Sequence, residues 1–593
     1  MSNEQVKRIL YCQPETAGDI LISTGVISSI AAKFPNAKIY FATKKEFFSI
    51  LKDNPHITAL LEYDETMLNY RSLEKWGMHN NPFDIVYCPF IVTQKIPHWI
   101  HSGNGEFLGT VYADMCNVDF GEQFIAIDNN LDSFGLPSEF ITVQSQTRQD
   151  PKDYDYMQNV IDRIMNIDIV QIGGASDKKL SGKIIDLRGK TTPQQLAGIL
   201  FRSKLHIGLD SFPMHIASHV GCPVVAMFGG TYAKQGSNPL RAGLIHAIET
   251  QDRGPCVTSC HLSECEAKRF GFNKCINNIS PLTVLEKVGS MIGTTNIKPM
   301  PPIKLSTYTI LKNGIKYGFP FAKCIEYAAK IADEVVVVDG GSDDGTLEAL
   351  NELAQNPSNK LVVKQHVWNM GCPTLMGDEK TWAKKQCSHE YTLQLDADEI
   401  IVEPYVGSTK DLIAKLYYAD VIDLPCFNFY GDANTIRIED QIWKWRISKS
   451  SDNVIHGVHG KARQLDPDTM QVTYDKSVSD SCEMIYENSL EIAKHRPGFH
   501  TSILMTHEAL KAGVIKPEQY IKMLQEALQY GPIVFHYSWI NLERKLQNGD
   551  FWNETWHGQR NATHNTTKDI SERIAAKKDM LLSVNIDHPL KDK

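Results

Sequence analysis

Two stretches constrain this chain more than any others. Val335 to Thr346 reads VVVVDGGSDDGT, and Tyr391 to Glu399 reads YTLQLDADE. Each is a short apolar or alternating run that ends in an acidic turn. β-Branched and aromatic residues favour strands, and Asp and Gly favour the turns that stop them. Between the two lie a helical pattern at 346–355, a strand pattern at 361–365 and a second helical pattern at 378–387. That alternation predicts a βαβαβ unit on one sheet. Ligands of open α/β sheets bind just past the carboxyl ends of the strands. Carboxylates at two such ends therefore point to a nucleotide held with a divalent cation. A solvated turn is the plain reading of either stretch alone; the ordered pair favours a site.

The rest of the chain must fold around more than one core, because 593 residues exceed what a single core supports. A net charge of −9 argues against nucleic-acid binding through overall basicity. The opening MSNEQVKRILYC has neither the apolar core nor the cleavage site of a leader, and no apolar run is long enough to span a bilayer. The thirteen cysteines are mostly scattered, which suits reduced thiols and a cytoplasmic setting. TTNIKPMPPIK, residues 294–304, is polar and Pro-rich and reads as a linker. The expected division is 1–135, 136–293, the linker 294–304, a domain at 305–560, and a polar tail at 561–593 with a helical pattern at 570–582.

The first half is also α/β. A strand at 6–11 leads through PETAGD into a helical pattern at 20–33 and another strand at 37–42. Asp19 stands at the helix start, where it reads either as an N-cap or as a site carboxylate. Strands are expected at 83–88 and 124–127. From about Glu139 a second half begins, with FITV running into QSQTRQDPK. The hydroxyls and cations of that loop (Ser145, Thr147, Arg148 and Lys152) suit phosphate oxygens. A strand at 169–172 ends in GGASD, closing on Asp177. A helix is expected at 193–202 and a strand at 205–209. The strand runs into DSFPMH, where Ser211 and Pro213 start a helix whose amides can face a diphosphate.

These motifs carry a resemblance. Residues 1 to about 290 resemble the heptosyltransferases of glycosyltransferase family nine, whose GT-B fold joins two Rossmann-like halves. The matching stretches are AGDILISTGVISSIAAKFPNAKI and GLDSFPMHIASHVGCPVVAMFGGT. The resemblance implies that Asp19 is the general base and that Asp210, Ser211 and His215 hold donor phosphates. It places Thr147 and Lys152 in a phosphate loop and Asp177 near the donor ribose, and it implies no metal. Phe212 stands where the family usually has Gly. That departure motivates an alternative in which this half only positions a glycan. Cys256, Cys260, Cys265 and Cys275 form a cluster that reads as a zinc site, a disulfide or free thiols.

Residues 305 to about 560 resemble the GT-A fold of glycosyltransferase family two, with a mostly parallel nucleotide-binding sheet. TILKNG, EVVVVDGGSDDGT and LQLDADE match in order, closest to enzymes of lipopolysaccharide core assembly. The resemblance implies that Asp339, with Asp343, contacts the nucleoside. Asp396 and Asp398 would hold Mn²⁺ or Mg²⁺ against the donor diphosphate, joined by His536 of FHYSW. Glu439 and Asp440 are the candidate bases. Together the halves suggest a bifunctional inverting glycosyltransferase that uses nucleotide sugars. Its expected acceptor is a surface glycan or lipid-linked oligosaccharide, met at the inner membrane face by peripheral contact. Sugar transfer to modified DNA bases is the alternative that the acidic charge disfavours.

Overall fold

The computed structural model describes residues 6–593 except 71–81, 91–105, 251–252, 254–255, 257–259, 261–263, 267–273, 371–374, 402–405, 433, 438–442, 452–453, 457–461, 466–471, 476–483, 487–493, 528, 540–580 and 584–593. The chain divides into two compact units, Met1–Pro299 and Met300–Lys593. The division falls inside the Pro-rich stretch. The first part of that stretch is docked on its own unit: Ile297 bridges Ile164, and the Lys298 N–H donates to the Arg163 carbonyl at 2.7 Å.

The first unit holds two parallel sheets. One has the order β3-β2-β1-β4, from β1 (Arg8–Cys12), β2 (Lys38–Thr43), β3 (Ala59–Glu62) and β4 (Ile85–Tyr87). Helix α1 (Ala17–Lys33) crosses from β1 to β2 and buries residues on several sides, from Ile20 to Ile30. It packs on α2 (Leu108–Met115) as well as on the sheet. The stretch 124–127, expected as a strand, forms none. Its Phe124 N–H donates instead to the Thr24 hydroxyl of α1 at 2.8 Å while Ile125 is buried, so a side-chain contact replaces a ladder.

The second sheet has the order β10-β9-β8-β5-β6-β7 and is parallel throughout. Its strands are β5 (Phe140–Gln144), β6 (Asp168–Ile172), β7 (Ile184–Asp186), β8 (His206–Leu209), β9 (Val224–Phe228) and β10 (Ile245–Glu249). Numbered from β5, this is the doubly wound order 3-2-1-4-5-6 read backwards. The strand order reverses between β5 and β8, and the crevice past their carboxyl ends is where such folds bind nucleotides. The β5, β8 and β9 side chains are buried on both faces, as a covered parallel sheet requires. Helices α3 (Pro193–Arg202) and α4 (Phe212–His219) flank β8. Thr192 caps α3 by accepting from the Gln195 N–H at 3.2 Å.

The second unit centres on a sheet of eleven strands. Four are parallel in the order β13-β12-β11-β14: β11 (Leu305–Leu311), β12 (Glu334–Asp339), β13 (Leu361–Gln365) and β14 (Tyr391–Gln394). Helix α5 (Phe321–Ile331) joins β11 to β12, α6 (Thr346–Ala354) joins β12 to β13, and α7 (Leu375–Lys385) precedes β14. The sheet continues antiparallel, β14 pairing with β18 (Trp443–Lys449) and β18 with β16 (Val421–Tyr430). At its far side β15 (Glu399–Ile401) pairs with β19 (Val534–Trp539), and β19 runs parallel to β16.

The tail corrects an expectation. Leu581–Ser583, at the end of the helical pattern 570–582, is a strand, β20, paired with β17 (Thr435–Arg437). Leu582 is buried in the apolar cluster with Phe429 and Ile436, so burial of one alternate side chain outweighs helical period. Residues 570–580 lie outside the described residues.

Candidate active sites

In the first unit, Asp19 is not an N-cap. Thr16 holds that position, and Asp19 is the third helical residue of a reciprocal cap. Its Oδ2 accepts from the Thr16 amide at 3.1 Å and the Thr16 hydroxyl at 2.7 Å. Its Oδ1 accepts from the Tyr112 hydroxyl of α2 at 3.0 Å. The carboxylate is thus aimed by two elements while remaining half-buried. The ring of His215, on α4, lies against the same helix start: a Cβ on Gly18 would stand 3.5 Å from its Cδ2.

His215 belongs to the second half's switch-point crevice. Asp210, just past β8, accepts from the Lys152 ammonium at 2.7 Å and from the Thr231 hydroxyl at 2.6 Å. Burial would raise this carboxyl. The Lys152 charge, then His215, then the two hydrogen bonds outweigh it and hold the carboxyl at about 2. Burial pushes His215 below its ordinary value, with Asp210 and Asp19 opposing and Lys152 reinforcing. The imidazole is therefore neutral at pH 7 beside an ionised Asp210. Gly236 makes room for the arrangement, since a Cβ there would come within 2.7 Å of Asp210 Oδ1.

Ser211 starts α4 and donates to Gln144 Oε1, at the end of β5, at 2.5 Å. This bond ties the two strands that flank the crevice. The amino-terminal end of α4 faces the same place and carries positive partial charge. Phe212, at the first helical position, is half-buried and packs against the apolar core. Thr147 is committed within its loop: its amide and hydroxyl donate to Asp153 Oδ1 at 2.6 and 2.9 Å. Asp177 folds back on the turn after β6, accepting from the Gly174 amide at 2.9 Å. Gly173, at φ 138°, cannot carry a side chain there, because a Cβ would stand 2.2 Å from Asp177 Oδ2.

The cysteine cluster sits beside this crevice and forms no disulfide among the described residues. Its backbone braces the loops: the Cys260 amide donates to the Gly230 carbonyl at 2.6 Å, and the Cys265 amide to Asp150 Oδ2 at 3.0 Å.

In the second unit, the β12 carboxylate Asp339 organises its own turn. Oδ2 accepts from the Gly341 and Ser342 amides, both at 3.0 Å, and Oδ1 from the Ser342 hydroxyl. Asp343 is exposed, its amide held by Asn313 Oδ1 at 2.9 Å. Asp344, which sequence reasoning passed over, lies just ahead of α6 and accepts from the Thr346 amide and hydroxyl at 3.0 and 2.6 Å.

At the end of β14 two carboxylates meet three cations, and a third carboxylate faces a histidine. Asp396 accepts from Lys380 of α7 at 2.7 Å and from Arg446 of β18 at 3.2 Å. Glu399, fully buried, accepts from Lys444 at 2.6 Å and Arg446 at 2.5 Å. Burial would raise both carboxyls, but Lys380, Arg446 and Lys444 hold Asp396 well below its ordinary value, and Arg446 and Lys444 lower Glu399. Asp398 faces His536 of β19, Oδ1 to Nε2 at 3.5 Å. His536 Nδ1 lies 2.5 Å from Asn428 Oδ1, an oxygen that can only accept, so the ring proton is on Nδ1. The Nε2 lone pair then points at a carboxylate oxygen, a pairing that needs a proton or a cation between. Asp398 and His536 could offer two ligand atoms to a divalent cation.

Of the residues expected at the sites, the structure pairs Asp210 with Lys152, sets His215 against the Asp19 helix start and faces Asp398 with His536. Asp396, expected beside Asp398 on a metal, is instead paired with Lys380 and Arg446. Sequence reasoning missed Tyr112, Gln144, Thr231, Lys380, Lys444, Arg446 and Asn428, which reach the sites from distant elements and carry no local motif. Glu439 and Asp440, the candidate bases, lie outside the described residues.

A crevice at a topological switch point holds a partly enclosed ammonium and a helix start, with an aimed carboxylate beside it, and sequence similarity gives its class: the chain is a glycosyltransferase. Residues 126–265 match the model of glycosyltransferase family 9 (heptosyltransferase). A lipopolysaccharide heptosyltransferase 3 of Escherichia coli K12 is 25% identical in an alignment of 276 residues that covers 36% of this chain and 80% of that protein. Among solved structures, a family 9 glycosyltransferase of Veillonella parvula is 17% identical, covering 50% of this chain and 98% of its own, with a TM-score of 0.35. ADP-heptose LPS heptosyltransferase II of E. coli is 15% identical over 49% of this chain and 99% of its own, with a TM-score of 0.36. No helix among the described residues is long and apolar enough to cross a membrane.

Proposed function

We propose that the chain is a two-centre glycosyltransferase, with a metal-independent GT-B centre in the first unit and a metal-dependent GT-A centre in the second. The observation that carries the first centre is the meeting of the Asp19 helix start with His215, beside the Lys152–Asp210 pair. A nucleoside-diphosphate sugar would lie past β5 and β8, its phosphates against Lys152 and the start of α4. Asp19, held by Thr16 and Tyr112, takes the proton of the acceptor hydroxyl. That oxygen bonds to the anomeric carbon as the nucleoside diphosphate leaves with the bonding pair, so the anomeric centre inverts. The heptosyltransferase relatives support a lipopolysaccharide-like acceptor.

For the second centre, the parallel order β13-β12-β11-β14 supports a donor site between Asp339 and Asp398. Asp398 and His536 would hold Mn²⁺ or Mg²⁺, which when bound neutralises charge on the departing diphosphate. Asp339 keeps its turn in shape, and Lys380 with Arg446 keeps Asp396 ionised. The carboxylate base of this centre is assigned to Glu439 or Asp440. Peripheral membrane contact would follow from a lipid-linked acceptor.

The test is calorimetric titration of the full chain with sugar nucleotides, with and without Mn²⁺. Two classes of site are expected. One is metal-independent and weakened at least tenfold by Lys152→Met; the other is metal-dependent and lost in Asp398→Asn. A single class, indifferent to both substitutions, would refute the reading.

A further inference from the structure

Behind the acidic end of β14 lies a second ligand set. β19 is flanked by β15 on one side and β16 on the other, and the register pairs Glu399 and Asn428 with the same residue, His536. Cys426 stands two residues before Asn428 on β16, and so on the same face of the pleat. The ligand atoms of Glu399, Cys426 and His536 all lie within 4.8 Å of one another. Glu399 and Cys426 are fully buried, and the His536 side chain is 14% exposed. Asn428 holds the His536 ring with its Nδ1 turned away, which presents Nε2 as a donor atom.

This donor set differs in kind from Asp398 with His536. A thiolate and an imidazole are soft and borderline ligands, suited to Zn²⁺, Co²⁺ or Fe²⁺ and poorly suited to Mg²⁺. Glu399 is already met by Lys444 and Arg446, so its remaining lone pairs would supply a weak third ligand.

We propose that Glu399, Cys426 and His536 form a binding site for a borderline transition-metal ion. The ion binds as Cys426 gives up its thiol proton to solvent, and no electron transfer is involved. Because His536 belongs to both sets, an ion on Cys426 removes the imidazole from Asp398. The site therefore excludes the hard cation and makes the second unit sensitive to zinc. The exclusion of the hard cation rests on the proposed Asp398–His536 site, whereas the thiolate site rests on side-chain geometry alone, so the two can fail separately.

Cobalt reads the site directly, because a thiolate bound to Co²⁺ gives an intense near-ultraviolet charge-transfer band that oxygen and nitrogen ligands do not. The full chain, stripped with chelator and reduced, is titrated with Co²⁺ in excess Mg²⁺. The wild type and three variants (Cys426→Ser, His536→Ala and Cys256→Ser) are compared, with circular dichroism as the check on folding. The Cys256 variant accounts for thiolate binding by the other cysteine cluster. The expected result is loss of one thiolate-bound Co²⁺ per chain in Cys426→Ser and weakening of at least tenfold in His536→Ala, with that ion retained in Cys256→Ser. A Cys426→Ser protein that folds and keeps the whole wild-type band and stoichiometry overturns the proposal. So does a wild type with no band that Mg²⁺ cannot compete away.

Discussion

Replacing Lys152 by Met isolates the electrostatics of the first centre. The pair it forms with Asp210 is nearly enclosed, with the two side chains 16% and 8% exposed. Removing one partner of such a pair leaves a buried charge and costs about 3 kcal/mol. The pH dependence makes the prediction specific. In the wild type the Asp210 carboxyl sits at about 2, below an unfolded value of about 3.9. A depressed carboxyl stabilises the fold above the unfolded value and loses that contribution as pH falls through the folded one. At about 1.4 kcal/mol per unit this contribution is roughly 2.6 kcal/mol at neutral pH. Without Lys152, burial drives the carboxyl above its unfolded value, so the variant gains stability as pH falls and Asp210 takes up a proton. The deficit should therefore be about 3 kcal/mol at pH 7 and fall to roughly half of that only near pH 3. Urea unfolding of the full chain, followed by proteolytic release of peptides from 140–235, measures it. A deficit that does not change with pH would refute the assignment of the shift to Lys152.

Other substitutions probe single contacts. Tyr112→Phe removes the hydroxyl that aims Asp19 and should lower turnover of the first reaction several-fold, with stability changed by less than about 1 kcal/mol; steady-state kinetics and thermal unfolding together check it. Arg446→Met strands Glu399 and Asp396 and should destabilise the second unit by about 3–5 kcal/mol in denaturant unfolding. Asp344→Ala removes the acceptor at the start of α6 and should cost about 1 kcal/mol by the same measurement. Gly340→Ala places a Cβ 2.5 Å from the Trp368 ring and should destabilise by roughly 1–3 kcal/mol, with a shifted tryptophan fluorescence.

What was legible in the sequence was what is local. VVVVDGGSDDGT and YTLQLDADE announced two parallel strands because buried β-branched runs and acidic turns are set by neighbours a few residues away. AGDI and DSFPMH announced helix starts for the same reason. The switch points are a property of strand order, and periodicity alone does not reveal that β5 lies beside β8. The partners of the site carboxylates were hidden for a related reason. Lys380 stands in the helical run EKTWAKK, where a lysine reads as a solvated face, yet the fold buries it against Asp396. Arg446 stands in WKWR, where nothing local marks it, and is the fully buried hub of the second cluster. Leu581–Ser583 was lost in a helical pattern because β17, far away in sequence, gives it a ladder to join.

The two-centre account is tested most directly by product analysis of Asp19→Ala and Asp398→Ala, each made in the full chain. Each is given a mixed sugar-nucleotide pool, a lipopolysaccharide-like acceptor and Mn²⁺, and products are resolved by mass spectrometry. The account predicts two sugar additions in the wild type, with a different one missing from each variant. It also predicts that chelation reproduces only the Asp398 loss. Variants that both give the wild-type products, or that lose the same addition, would contradict it.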